Sequence, residues 1–344
     1  MKIDKEELQR ALTIVKPGLS SKEIIEQTTS FAFTNGRVIT YNDEISISHP
    51  IEGTEFEGVV KAEELYGLLG KLNKKEIELN LEGGELQITS GRMNAGIHIE
   101  EKIQLPIREP AGKWKVIPDP EKFTQFIFLA SQTCSGDMTQ PKLTCVYVKK
   151  NGQIIGSDGF RLVQCITEKL PIEDFLISAS SVIDLVKINP THIQMEDGWI
   201  HFKNKEGTYF SCRSVDMDYI DQVTIDGILK VKGGGTVEFP VKIIEILNRV
   251  KLFAKRQFYF DEVIEVTIEG GKITLKSETE ETKSWIKEKA TIKYDGSLSF
   301  MITPTLFEGI LKETRTCSIN KANTSVKFKM GDDSSGWEYI VMLA

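Results

Sequence analysis

The feature that most constrains this chain is an internal repeat with a spacing of about 115 residues. Each third of the sequence contains a hairpin of two alternating strands joined by a tight turn. The three copies are FAFTNGRVITYNDEISIS at residues 31–48, VYVKKNGQIIGSDGFRLVQC at 146–165 and VIEVTIEGGKITLKSETEETKSWI at 263–286. A chain built from one unit used repeatedly is expected to form similar domains in series.

A second hairpin follows in each third, and a helix precedes every hairpin. Apolar residues recur three to four positions apart in these helices, as in Leu65, Leu68, Leu69 and Leu72. The predicted helices are residues 5–16, 62–73, 121–131, 178–188, 241–255 and 305–314. The sequence therefore predicts an α+β fold of three similar domains, each with two helices packed on antiparallel sheets.

Two stretches of breaker residues divide the repeats. One is the Pro-rich segment 105–118, and the other is the Gly-rich segment 232–235. These linkers predict domains at residues 1–116, 117–232 and 233–344.

Composition narrows the class of protein. The chain has 344 residues, 40% of them hydrophobic, and a formal net charge of -7. A charged N-terminus and the lack of an apolar run of about 18 to 20 residues predict neither a signal peptide nor a membrane helix. The five cysteines form no C-x-x-C pair, so we expect no disulfide framework, metal site or cofactor, and a cytoplasmic location. A negative net charge for the whole chain is compatible with a basic surface confined to one face.

Three short motifs lie on this repeat in a recognisable order. They are Ser157-Asp158-Gly159-Phe160-Arg161-Leu162, Met217-Asp218-Tyr219 and the terminal Tyr339-Ile340-Val341-Met342-Leu343-Ala344. Together with the threefold repeat, they resemble the bacterial sliding clamp, the beta subunit of DNA polymerase III. The chain departs from that family at Phe160, where His is usual, and at Leu343, where Pro is usual.

The resemblance implies a non-enzymatic processivity factor. In that family two chains close head to tail into a ring around duplex DNA, and short peptide motifs of the polymerase and the clamp loader bind a pocket on the ring. An enzyme is disfavoured because Ile155 replaces the Gly that a nucleophile elbow needs two residues before its Ser, and no phosphate loop is present. The alternative within the same fold is a divergent clamp-like interaction scaffold, viral or from a mobile element, that does not tether DNA.

Basic residues opposite the apolar helix stripes are the candidates for the ring lining, where they would contact phosphates without reading bases. These predicted DNA-facing residues are Arg10, Lys71, Lys74, Lys187, Arg249, Arg256, Lys312 and Arg315. The competing interpretation is that they belong to ordinary solvated helix faces.

The resemblance also assigns a peptide pocket and a dimer interface. The pocket residues carried over by position are Leu143, Ser157, Gly159, Phe160, Arg161, Leu162, Met217, Val223, Ile340, Val341 and Met342. A structural turn is the competing interpretation of its Ser157 to Leu162 segment. The homodimer contact would join Leu252 and Phe253 to an edge strand containing Ile97 of the other subunit. Leu252 also lies opposite its helix's apolar stripe, where a lone subunit would expose it.

Overall fold

The fold is taken from a computed structural model that describes residues 1–54, 56–106, 110–230, 234–256, 262–320, 325–331 and 335–343. Parts of the predicted linkers, at residues 107–109 and 232–233, lie outside the described residues, as does the terminal Ala344.

Seven α-helices lie within the described part of the chain, and six of them correspond to the predicted helices. They are α1 (Lys5–Val15), α2 (Ala62–Leu69), α3 (Pro120–Ser131), α4 (Ala179–Leu185), α5 (Gln222–Leu229), α6 (Ile243–Val250) and α7 (Pro304–Glu313). The unpredicted helix is α5, which begins after Asp221, whose carboxylate accepts a hydrogen bond from the Thr224 backbone N–H at 2.9 Å. Short 3₁₀ helices at Lys16–Gly18, Val186–Ile188 and Lys251–Phe253 follow α1, α4 and α6, and a fourth lies at Pro141–Thr144.

Most strands of the first two repeats form one antiparallel sheet of 12 strands, with the order β1-β6-β7-β8-β5-β2-β3-β4-β16-β15-β14-β9. Its strands are β1 (Lys2–Asp4), β2 (Ser30–Thr34), β3 (Arg37–Tyr41), β4 (Ile45–Pro50), β5 (Gly58–Lys61), β6 (Glu76–Glu82), β7 (Glu85–Ser90), β8 (Met93–Glu100), β9 (Lys115–Val116), β14 (His192–Glu196), β15 (Trp199–Lys203) and β16 (Tyr209–Arg213).

The remaining strands form two further sheets, of eight and four strands. The eight-stranded sheet has the order β13-β10-β11-β12-β24-β23-β22-β17, and the four-stranded sheet β20-β19-β18-β21. Their strands are β10 (Cys145–Val148), β11 (Gln153–Ser157), β12 (Arg161–Ile166), β13 (Phe175–Ser178), β17 (Thr236–Glu238), β18 (Ile264–Glu269), β19 (Lys272–Glu278), β20 (Trp285–Thr291), β21 (Leu298–Ile302), β22 (Thr316–Asn320), β23 (Ser325–Gly331) and β24 (Gly336–Met342).

Two strand pairs join successive repeats. The first hairpin of repeat one pairs through β4 with β16, the last strand of repeat two, and β12 pairs in the same way with β24 of repeat three. The chain accordingly forms two compact units, residues 1–120 with 184–214 (unit 1) and residues 121–183 with 215–344 (unit 2). The three domain boundaries drawn from the sequence remain a prediction.

The helices pack through the apolar stripes that the sequence showed. In α6 the buried residues are Ile243, Ile246, Leu247 and Val250, the stripe expected from their spacing. Nearby in unit 2, four fully buried phenylalanine rings pack together with centroid separations of 5.6 to 6.5 Å. These rings belong to Phe239, Phe300, Phe307 and Phe328.

Three further features concern membrane spans, metal-binding clusters and cysteines. No helix in the described ranges is both long and apolar enough to cross a membrane. The described residues contain no group of three or more His, Cys, Asp or Glu side chains placed to hold a metal ion. All five cysteines are buried thiols that take part in no disulfide.

Phe307→Ala is expected to lower the free energy of unfolding by about 3 to 5 kcal/mol, because it leaves a cavity among three other rings. Val241→Ala serves as the control: this side chain is exposed, so its loss should change the free energy by less than about 0.5 kcal/mol. Urea unfolding of the full chain measures both. Equal effects of the two substitutions would contradict the packing described.

Candidate functional site

The turn between β11 and β12 is fixed by its own side chains. Ser157 Oγ donates to the Arg161 carbonyl oxygen at 2.7 Å and accepts from the Gly159 N–H at 3.1 Å. Asp158 Oδ1 accepts from the N–H groups of Phe160 at 2.9 Å and Arg161 at 2.7 Å. Gly159 has a φ of 92°, which a residue with a Cβ rarely adopts. The turn therefore holds one conformation and presents Phe160 outward.

The Arg161 side chain stabilises this turn through an ion pair and hydrogen bonds. Its Nε donates to Asp158 Oδ2 at 2.7 Å, its Nη2 lies 2.6 Å from the same oxygen, and its Nη1 donates to Thr303 Oγ1 at 2.7 Å. The Arg161 and Asp158 side chains are only 11% and 14% exposed. A nearly buried ion pair with two hydrogen bonds is costly to break from one side. Arg161 thus supports the turn, and little of it is available to a ligand.

The C-terminal strand lies directly against the turn. β24 pairs with β12 so that Leu162 faces Ile340 and Arg161 faces Val341. The Met342 N–H donates to the Phe160 carbonyl oxygen at 3.0 Å. The structure therefore brings together the two sequence segments that the resemblance assigned to one pocket. We call the eleven predicted pocket residues together the β12–β24 site.

Helix α5 covers part of this site. A buried cluster joins Ile225 and Leu229 of α5 to Ile155, Leu162 and Ile340 of the sheet. Leu162 and Ile340 are each 2% exposed, so they form the supporting layer under the helix. The sequence prediction counted them among the pocket residues and missed α5. The available signals for α5 were its Asp221 cap and the apolar Ile225, Ile228 and Leu229.

Four of the eleven predicted pocket residues are exposed apolar side chains. Phe160 is 73% exposed, Val223 82%, Met217 47% and Met342 40%. Leu143 is buried, and its Cδ1 lies 3.9 Å from the position that a Cβ on Gly159 would take. The exposed apolar side chains of the site are thus two methionines, one valine and one phenylalanine, whereas Leu143, Leu162, Ile340 and Val341 are buried.

Tyr219, the last residue of the Met217-Asp218-Tyr219 motif, packs against the same buried cluster. Its ring centroid lies 5.2 Å from that of Tyr147. Burial raises the pKa of Tyr219 well above its usual value and that of Tyr147 to about 12, so both phenols are neutral at ordinary pH. Titration of these groups is not expected to regulate the site.

Three of the eight predicted DNA-facing residues lie on α-helices, and the other five lie in the segments that follow helices. Arg10, Arg249 and Lys312 lie on α1, α6 and α7. The helix-face prediction was wrong for Lys71 and Lys74, because α2 ends at Leu69, although both side chains are exposed. The other three follow helices: Lys187 lies in the 3₁₀ helix after α4, and Arg256 and Arg315 lie in connecting segments.

Carboxylates lie close to most of these cations. The shortest contacts are Arg10 to Glu206 at 2.7 Å, Lys187 to Asp184 at 2.7 Å, Arg249 to Glu288 at 2.5 Å, Lys312 to Glu308 at 2.8 Å, Arg256 to Glu280 at 3.6 Å and Arg315 to Glu238 at 3.6 Å. Hydrogen bonds from Lys251 and Lys312 lower the pKa of Glu308, and one from Arg249 lowers the pKa of Glu288. Partly exposed pairs of this kind contribute little stability, so a phosphate can compete for the cation.

The predicted interface residues lie on different kinds of surface. Leu252 is 62% exposed and Phe253 is half-buried, both in the 3₁₀ helix after α6. Ile97 is buried on β8, where it faces Leu86 of β7. Because β8 also pairs with β5 at its C-terminal end, it is not an edge strand along its whole length. Any contact of this strand with a second subunit would therefore involve its backbone more than the Ile97 side chain.

Arg161→Ala is expected to lower the free energy of unfolding by about 3 to 5 kcal/mol, because it leaves Asp158 nearly buried without its cation. The matched control is Phe160→Ala, one residue away and largely exposed, which should cost less than about 0.5 kcal/mol. Thermal and urea unfolding measure both. If Arg161→Ala were as stable as the control, the turn would not depend on this ion pair.

No protein-family model matches the sequence, and no curated protein matches it. Solved structures do match. The DNA polymerase III beta subunit of Thermotoga maritima has a TM-score of 0.73 at 20% identity, and the DNA polymerase sliding clamp of Bacillus subtilis has 0.74 at 18%. The sliding clamp of Bartonella birtlesii bound to griselimycin has 0.76 at 15%. Each match covers 100% of this chain and 98% of the other.

The predicted α+β clamp architecture is confirmed by these matches. TM-scores of this size over the whole chain establish the architecture. The chain has, along its whole length, the sliding-clamp fold of the bacterial DNA polymerase III beta subunit.

Proposed function

We propose that this chain is a DNA sliding clamp: two copies close head to tail around duplex DNA in the cytoplasm and tether a DNA polymerase and other replication proteins. The observation that carries this proposal is the match to sliding clamps over 100% of the chain, with TM-scores of 0.72 to 0.76. These matches also cover 98 or 99% of each clamp chain, so the likeness that supports the proposal is not confined to one part of the molecule.

Contact with DNA is assigned to the predicted DNA-facing residues. A ring that slides must hold phosphates without reading bases, so its affinity comes from cations and falls steeply with salt. The carboxylates beside these cations weaken the local positive potential. We therefore expect the contacts between the cations and the phosphates to be transient and of moderate strength, which suits movement along the duplex.

Partner binding is assigned to the exposed part of the β12–β24 site. Met217, Val223 and Met342 give an apolar and adaptable surface beside Phe160, while the buried ion pair keeps the turn rigid. An extended peptide can place apolar side chains on such a surface without reordering it. Phe160 fills the place where the clamp family has His, so we expect the preferred motif to differ from that of other clamps.

One observation favours the alternative of a clamp-like scaffold without DNA tethering. Most of the predicted DNA-facing cations lie within 4.0 Å of a carboxylate. If these pairs stay closed, the lining is nearly neutral and the positive field that holds DNA disappears.

Replacing Lys71, Lys74, Arg249 and Lys312 together with Glu tests DNA binding. Arg256 and Arg315 are left unchanged because they also donate to backbone carbonyls. Retention on nicked circular DNA after loading should fall at least ~10-fold. The dependence of log affinity on log salt should become shallower, by up to ~0.9 for each phosphate that the ring no longer neutralises. The dimer, measured by light scattering, should remain.

The matched control reverses four other exposed lysines, Lys22, Lys102, Lys169 and Lys272. It removes the same charge and should leave retention unchanged. Equal reductions in both variants would show a general charge effect. A wild-type chain that is monomeric and is not retained on circular DNA would support the scaffold alternative.

Griselimycin offers a probe for the β12–β24 site, because clamps of Pseudomonas aeruginosa and Bartonella birtlesii were crystallised bound to it. Phe160→Ala and Met342→Glu should each weaken its binding at least ~10-fold, as truncation of a central contact does. Met330→Glu, a similarly exposed methionine on neighbouring β23, is the control. Calorimetric titration measures all three. Binding that is unaffected by the first two changes would place the ligand elsewhere.

A further inference from the structure

Unit 2 contains a groove of about 290 Å³ between α3 and α7. One predicted DNA-facing residue, Lys312, lines it, and none of the described lining residues is next to a gap in the described ranges. We call it the α3–α7 groove and define it by Gln125, Phe128, Gln132, Gly309, Glu313 and Trp337.

The middle of the groove is apolar. Phe128 and Leu129 of α3 are half-buried there, and Ile310 of α7 and Trp337 of β24 are 1% and 3% exposed. An apolar surface with a few polar groups around it is typical of a site for a small ligand.

A glycine leaves space in the wall that α7 contributes. Gly309 lies in the interior of this helix, and a Cβ added to it would meet no atom within 4 Å. A glycine inside a helix lowers stability relative to alanine, and packing within the described residues does not require one here. The groove can therefore hold a ligand chain directly over the α7 backbone.

One end of the groove carries a carboxylate. Glu313 accepts hydrogen bonds from Gln125 Nε2 at 3.0 Å and from Trp337 Nε1 at 2.7 Å, and both of these donors are neutral. Lys312, the next residue, contacts Glu308 at 2.8 Å instead. Within the described part of the chain, no cation lies within 4.0 Å of the Glu313 carboxylate. This end of the groove therefore favours a ligand cation.

The other end carries a buried amide. Gln132 is 4% exposed, and its Oε1 has no hydrogen-bond partner among the described residues. Its backbone N–H donates to the Phe128 carbonyl oxygen, so it continues the path of α3. Seven residues at about 1.5 Å each place it roughly 10 Å along the helix from Gln125, the residue that contacts Glu313. Buried polar atoms without partners are uncommon, so this amide points to a bound polar group.

We propose that the α3–α7 groove binds a linear aliphatic diamine. One ammonium donates to the Glu313 carboxylate, and the other donates to Gln132 Oε1 after rotation of the amide about its last side-chain bond. The methylene chain between them lies on Phe128 and Leu129 and over Gly309. A lysine side chain of a partner protein would supply only one ammonium and leave the Gln132 amide without a donor.

The separation of the polar ends selects the length of the ligand. Two ammonium groups on an apolar chain match two acceptors that lie about 10 Å apart along α3. The chemistry of the groove alone supports this assignment, whether or not the chain encircles DNA.

The test is calorimetric titration of the full chain with three amines. Diaminooctane has an amino group at each end and reaches both polar ends, diaminobutane is too short to do so, and octylamine has the long chain with one amino group. Diaminooctane should bind at least ~10-fold more tightly than either of the others, the size expected of a charged donor on a buried acceptor.

Two substitutions separate the ends. Glu313→Gln keeps an acceptor for the Trp337 N–H and removes the charge, so it should weaken both diaminooctane and octylamine about 2- to 5-fold. Gln132→Met removes the amide at similar side-chain length. It should weaken diaminooctane to the level of octylamine and leave octylamine little changed. Glu64→Gln, an exposed carboxylate on α2, is the control and should change neither.

Gly309→Leu fills the groove and should weaken diaminooctane at least ~10-fold. The matched control is Gly67→Leu, because Gly67 of α2 is also an exposed helix glycine with no atom within 4 Å of an added Cβ. It should leave binding unchanged. Gly309→Ala adds only a methyl group, so it should keep binding and raise the melting temperature, which shows that α7 tolerates a side chain there.

The diamine site is overturned if the wild type does not bind diaminooctane or binds octylamine equally well. It is also overturned if binding survives Gly309→Leu, or if Gly67→Leu weakens it as much. Binding that follows the expected order of amines and of variants supports the site. Retention on DNA is not measured in these titrations, so their outcome leaves the proposed function to its own test.

Discussion

The pairing of strands from different repeats is the interaction on which the rest of this structure depends. A hairpin alone leaves one strand edge with unpaired backbone groups, and such an edge must be covered or paired. Here β12 is completed by β24 and β4 by β16, so the last strand of one repeat satisfies the first hairpin of the one before it. The β12–β24 pair also creates the surface on which the candidate site lies.

The same backbone geometry carries opposite chemistry at the two pairs. At β12–β24, Leu162 and Ile340 are buried beneath α5, and a nearly buried Arg161 to Asp158 pair fixes the turn. At β4–β16, Arg213 pairs with Asp43 of the turn between β3 and β4, and the serines Ser46 and Ser211 face each other. Repetition supplied the scaffold twice, and side-chain substitution made the two surfaces different.

The repeat and its hairpins could be predicted from the sequence because they depend on patterns that extend over only a few residues. Alternating residues and Asn-Gly or Gly-Gly turns predicted the hairpins, and three-to-four spacing predicted six helices whose apolar stripes are buried as expected. Helix bounds were less predictable. α2 ends at Leu69, before Lys71 and Lys74, and α5 was missed because its short segment contains β-branched residues and Gly227, which disfavour helix in isolation.

The sequence by itself determined the elements, the α+β class and the resemblance to sliding clamps, since periodicity, turn residues and short motifs act over a few positions. Only the tertiary structure decided which edges pair and that Leu162 and Ile340 are support while Phe160 and Met342 are surface. It also decided that Arg10 and Arg249 have acidic neighbours from distant parts of the chain. Those features join residues far apart in the chain, such as Arg10 with Glu206 or Ser46 with Ser211, and no local pattern records such distances.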